Sequence, residues 1–75
     1  MNYFMHLYIF FKDQHIEHHI IERFSDLSQD KSQYYYYEKP IDQTGKGTCF
    51  KREDILCFEI TPRAIKKYDE WINKK

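Results

Sequence analysis

The sequence is short of the residues that cross-link or punctuate small domains: among its 75 residues are two cysteines, two glycines and two prolines. Cys49 and Cys57 are too few for a disulfide scaffold. With no cleavable basic-then-apolar leader in view, they point to a reduced, cytoplasmic setting. Long hydrophobic runs are also missing. The most apolar stretch, Met1 to Phe11, is interrupted by His6 and is far shorter than the ~20 apolar residues a membrane-spanning helix needs, so no membrane partner is expected. Net charge is absent too, with 12 basic and 12 acidic side chains. That balance argues against a protein held on a polyanion by a general positive field.

The balance hides a split. Residues 1–38 carry three basic and six acidic side chains, whereas residues 39–75 carry nine basic and six acidic, which leaves room for a local basic patch. What the chain has in abundance is aromatic rings, at 19% of its residues, with seven tyrosines, six phenylalanines and one tryptophan. A chain of this length forms one domain, residues 1–75, and buries only roughly 60% of its unfolded surface. A few large rings must therefore supply much of the core, at about 1.5–3 kcal/mol for each fully buried large apolar side chain.

Read as a strand, Met1 to Lys12 places Tyr3, Met5, Leu7, Ile9 and Phe11 on one face and Phe4, His6, Tyr8 and Phe10 on the other. A segment apolar on both faces suits the centre of a sheet. Asp13 is placed to cap a helix from Gln14 to about Ser28, along which Ile16, Ile20, Phe24 and Leu27 form one apolar stripe. A polar link at 28–32 follows. Tyr34 to Lys39 has strong strand character, ended or pushed to a sheet edge by Pro40. Residues 42–48 read as a loop. Residues 51–60 read as a third strand with Leu56, Phe58 and Ile60 on one side. Thr61 and Pro62 then signal a second helix with Ile65, Tyr68, Trp71 and Ile72 on its docking stripe. The expected fold is α+β in the order β-α-β-β-α. It is a two-layer sandwich, with a three-stranded antiparallel or mixed sheet carrying two helices on one face and the other face uncovered.

That uncovered face, lined by Phe4, Tyr8, Phe10, Tyr35 and Tyr37, is the expected interaction site. Tyrosine-rich patches suit protein interfaces, where the ring is apolar and the hydroxyl finds partners. The leading expectation is thus a non-enzymatic protein-protein interaction module, either a regulator or inhibitor of a larger protein or a self-associating homodimer, without a cofactor. The alternative is a nucleic-acid-binding protein in which exposed rings stack on bases beside Lys39, Lys46, Lys51, Arg52 and Arg63. The tail from Phe58 to Tyr68 resembles the last wing strand and closing helix of winged-helix transcription regulators, a resemblance that implies the same nucleic-acid role. No recognition helix is assigned.

Two other constellations were weighed. On a helix, His15, His19 and Glu22 share a side, and two imidazoles four residues apart can hold a metal. The zincin pattern is absent, and a solvated helix face shows the same polar residues, so no metal is assigned. Gly45-Lys46-Gly47-Thr48 lacks the first glycine of a phosphate-binding loop, Pro40 standing in its place.

Overall fold

The computed structural model describes residues 4–26, 33–40 and 45–74. The polar link at 28–32, Leu27, and residues 42–44 of the expected loop lie outside them. The described chain forms β1 (Met5–Phe11), β2 (Ile16–Ile21), β3 (Arg23–Asp26), β4 (Tyr34–Glu38), β5 (Gly47–Lys51), a single 3₁₀ turn (Arg52–Asp54), β6 (Ile55–Thr61) and α1 (Lys66–Asn73). The strands make two antiparallel three-stranded sheets, in the orders β2-β1-β6 and β3-β4-β5. The two-helix sandwich expected from the sequence is thus corrected: α1 covers one face of the first sheet and the second sheet covers the other.

β1 takes the central position its two apolar faces demand, with Leu7, Tyr8 and Ile9 almost wholly out of solvent. The covers are the reverse of those expected. The aliphatic face of Leu7 and Ile9 meets the second sheet, packing with Ile21, Tyr35, Tyr37, Phe50 and Ile55. The aromatic face of Tyr8 and Phe10 lies under α1, where Tyr68 meets both rings edge-on at centroid distances of 5.2 and 4.9 Å.

The segment read as the first helix is instead β2 and β3. Four-residue spacing such as Ile16 to Ile20 fits a strand as well as a helix, since four is a multiple of two. The segment's isoleucines, histidines and phenylalanine are also mediocre helix formers that pack well on a pleated surface. β1 needs a neighbour on each edge, and a three-residue turn delivers one. Gln14 N–H donates to Phe11 C=O, Phe11 N–H donates to His15 C=O, and Gln14 adopts a left-handed φ of 75°, the three-residue hairpin with a bulge. Asp13 accepts from His15 N–H at 3.1 Å. A helix cap makes a similar bond to an amide just ahead of it, so the local signal fitted both outcomes.

Strand pairing runs in a ring. β2 bends at Glu22, whose N–H donates to Glu38 C=O, and continues as β3 beside β4. β5 turns through Arg52–Asp54 into β6, which returns to β1. Arg52 N–H donates to Gln33 C=O and Lys12 N–H to Asp54 C=O, tying that corner to β4 and to the first hairpin. Strands that switch sheets at bends are how two packed sheets share corners. β4 is therefore central rather than an edge, with Tyr35 and Tyr37 inward. Gly47 is required on β5 because the Tyr36 ring lies across it, 2.2–2.7 Å from where a Cβ would stand.

Two further corrections concern β6 and α1. The β1–β6 register slips between Phe10 and Phe11: Phe10 faces Cys57, Phe11 faces Ile55, and Leu56 is the extra residue of a β-bulge. Ile55 turns inward and Leu56 outward, against the expected inward set of Leu56, Phe58 and Ile60. α1 begins at Lys66, later than Thr61 and Pro62 suggested, because Thr61 is still paired with His6 and its hydroxyl donates to Arg63 C=O. Among the described residues there is one helix of four or more residues; the helices of a winged-helix arrangement are not among them, and none of the described helices is long and apolar enough to cross a membrane.

A domain of this size has a margin of about 4–11 kcal/mol at 0.05–0.15 kcal/mol per residue. Leu7→Ala or Ile9→Ala, each opening a cavity between the sheets, should cost about 2–5 kcal/mol in urea unfolding. A loss below about 1 kcal/mol at both sites would show that β1 is not the centre of the core.

Candidate functional site

Two polar networks and one apolar groove stand out on the first sheet. The first network lies under α1. Tyr8, His18 and Glu59 occupy one row across β2, β1 and β6, with His18 stacked on Tyr8 at 4.3 Å. Asp69 of α1 reaches down to this row: the Tyr8 hydroxyl is 3.2 Å from both of its oxygens and His18 Nδ1 is 3.0 Å from Oδ1. The Tyr8 oxygen in turn accepts from Ile65 N–H at 2.8 Å, at the start of α1. The helix is therefore seated as much by this polar row as by its apolar stripe.

His6 Nδ1 and His18 Nε2 are 2.9 Å apart, so one must donate and the other accept. Asp69 accepts only, which assigns the Nδ1 proton of His18 to it and leaves Nε2 to accept from His6. His18 is then neutral. Burial holds its pKa below the ordinary histidine value, against the pull of Asp69 and with the help of His6. Burial raises the Tyr8 hydroxyl, keeping it protonated and donating.

The second network runs along β2. His15 has a carboxylate at each ring nitrogen, Asp13 at Nδ1 and Glu17 at Nε2, the latter at 3.2 Å. The Asp13 bond raises its pKa, against some desolvation. Glu17 also accepts from His19 at 2.8 Å. Burial pushes Glu17 up, but the bonds from His19 and His15 outweigh it and hold the carboxyl below its usual range. His15 and His19 thus meet through Glu17, not through a metal, while Glu22 sits exposed at the β2–β3 bend. Among the described residues no three histidine, cysteine or carboxylate side chains gather to hold a metal. Cys49 and Cys57 are free, exposed and on different sheets.

The third feature is apolar. Phe10, Phe11, Gln14, His15, Ile16, Leu56 and Trp71 line a shallow groove of about 260 Å³ where the first hairpin, the start of β6 and the last turn of α1 meet. Leu56 is 70% exposed and Trp71 53% exposed, the two largest exposures among the large apolar side chains described. The bulge creates this exposure, since regular alternation beyond Cys57 would have turned Leu56 inward.

The residues expected to form an aromatic face are mostly sealed inside. Tyr8 is fully buried, Tyr35 and Tyr37 retain 8% and 4% of their surface, and Phe4 and Phe10 are half-buried. Only Phe10 contributes to the groove. The five cations are not gathered into one patch either. Lys39 and Lys46 flank the β4–β5 hairpin, Lys51 and Arg52 lie at the other end of β5, roughly 17 Å along the strand, and Arg63 follows β6. Arg52 instead lies over the Tyr35 ring at 5.9 Å. Reading the sequence alone missed Leu56, because nothing in it marks the bulge, and it assigned Trp71 to the docking stripe that Ile65, Tyr68 and Ile72 in fact supply.

Compared with family models, curated proteins and solved structures, the chain matches none.

Two titrations should separate in an NMR histidine series, with His18 below the ordinary value near 6.5 and His15 above it. Because the folded pKa of His18 is depressed, its contribution to stability is present above about 6.5 and is lost as pH falls through the lowered value. His15 has the opposite sign, its contribution being lost as pH rises through its raised value, but it is exposed and heavily screened. Unfolding midpoints should therefore drop on acidification through the histidine range, and His18→Gln should flatten that drop. The reverse order of titration would refute the tautomer assignment. Asp69→Ala, which leaves the Tyr8 hydroxyl and His18 without their acceptor, should cost about 1–3 kcal/mol and speed proteolysis within α1.

Proposed function

We propose that the chain is a small protein-binding module without catalytic chemistry, which engages a protein partner through the groove between Leu56 and Trp71. The observation that carries this reading is the bulge at Leu56. A domain with few large apolar residues to spare leaves one of them outside, on a rigid strand, beside its single tryptophan. Bulges redirect side chains where function requires it, and a tryptophan beside an aliphatic residue on an otherwise polar rim is the composition of an interface anchor. Against an enzyme stands the use of the histidines. Each described histidine is engaged in an internal bond: His18 faces Asp69 and His6, and His15 and His19 face Glu17. The nucleic-acid reading draws no support from the scattered cations.

Leu56→Asp and Trp71→Ser remove the anchors at exposed positions. Both variants should retain the wild-type circular dichroism spectrum and thermal midpoint. In affinity capture from the cells that make the protein, both should lose whatever the wild type retains specifically, by roughly 2 kcal/mol or more for a true anchor. Undiminished capture by both folded variants would move the function away from the groove.

A further inference from the structure

Resting on the reading of the groove as a protein-binding surface, we propose that its occupant is a second copy of this chain. The copies would dock across a twofold axis that sets the acidic rim of one groove against the lysine-bearing flank of α1 in the other. The groove has ends of opposite sign. Phe11 and His15, at one end, also line an adjoining hollow walled by Lys12, Asp13, Glu53 and Asp54. Of these, Asp13 is bonded to His15, while Glu53 and Asp54 stand exposed on the 3₁₀ turn.

Trp71 closes the other end. Lys67, four residues before it, and Lys74, three residues after it, lie on the same flank of the helix, with Glu70 about 100° away around the axis. Lys67 also rests its ammonium 5.2 Å from the centroid of the Tyr68 ring. A surface that is apolar in the middle, acidic at one end and basic at the other is complementary to its own copy turned through 180°. This is the requirement of an isologous interface, in which residue i meets j and j meets i.

In this arrangement each Trp71 enters the other copy's groove beside Leu56. Each Lys67–Lys74 pair faces the opposite Glu53–Asp54 pair. The chain's zero net charge imposes no overall repulsion between copies, and the end charges set the relative orientation more than the affinity.

Sedimentation equilibrium of the full chain over a concentration series tests this directly, with two charge-reversed double variants at exposed positions: Glu53→Lys with Asp54→Lys, and Lys67→Glu with Lys74→Glu. The wild type should dimerise. Each double variant alone should self-associate roughly tenfold or more weakly, and an equimolar mixture of the two should recover a dimer, since opposite ends again meet. Far- and near-ultraviolet circular dichroism of each variant checks that the fold is kept, and the wild-type measurement stands without them. A wild type that stays monomeric at every concentration overturns the second copy as occupant. It leaves capture of a different protein, read by Leu56→Asp, to succeed or fail separately. Double variants that dimerise like the wild type, or a mixture that fails to recover, overturn the charge-matched twofold. A wild-type dimer that Leu56→Asp does not weaken overturns the groove as its seat.

Discussion

The structure depends on one strand having no exposed face. β1 carries aliphatic side chains on one side and aromatic ones on the other, and Leu7, Tyr8 and Ile9 are buried in succession. Such a strand needs two neighbours for its backbone and two covers for its side chains. The rest of the chain meets these four demands. β2 and β6 flank β1, the second sheet seals Leu7 and Ile9, and α1 seals Tyr8 and Phe10. The two covers differ in chemistry. The inter-sheet layer is held by rings and aliphatic groups, with Phe24, Tyr35 and Phe58 meeting at centroid distances of 4.9–5.8 Å. The helix is held by a polar row in which Tyr8, buried as a ring, keeps its hydroxyl bonded to Asp69 and to the amide of Ile65.

How much of this was legible depended on whether a segment's pattern had one reading or two. The double-sided β1, the tyrosine strand and the C-terminal helix each have one, and all three are present. Residues 14–28 had two. Ile16 and Ile20 satisfy both periods, and Asp13 makes a bond that serves a helix start and a hairpin turn alike. What decided between them was the unmet edge of β1, a tertiary demand that a window of a dozen residues does not contain. Losing that helix added the strands that, with β4 and β5, build a second sheet over the apolar face. Tyr35 and Tyr37 were thereby drawn into the core and away from the expected interface.

The groove was illegible for another reason. Ile55 to Ile60 alternates regularly, and one extra residue in the ladder inverts its first half without leaving a glycine or proline as a sign. A single-residue slip exchanges the inward and outward sets, so the residue that reading by alternation buries most confidently is the one the fold presents. Trp71 was placed on the right helix and assigned to the wrong flank, since Ile65, Tyr68 and Ile72 already fill the width that the polar row beneath allows.

The ring of strand pairing also sets an order of events. β1 is followed at once by its first neighbour, but its second, β6, is separated from it by more than half the chain. Contacts this distant carry a loop-closure cost before they stabilise anything, and they slow folding relative to local pairings. On the ribosome, the most apolar strand of the molecule would wait with one edge unpaired and its aromatic side bare until β6 and α1 had been made. In that interval it is the segment most open to pairing with a neighbouring nascent chain.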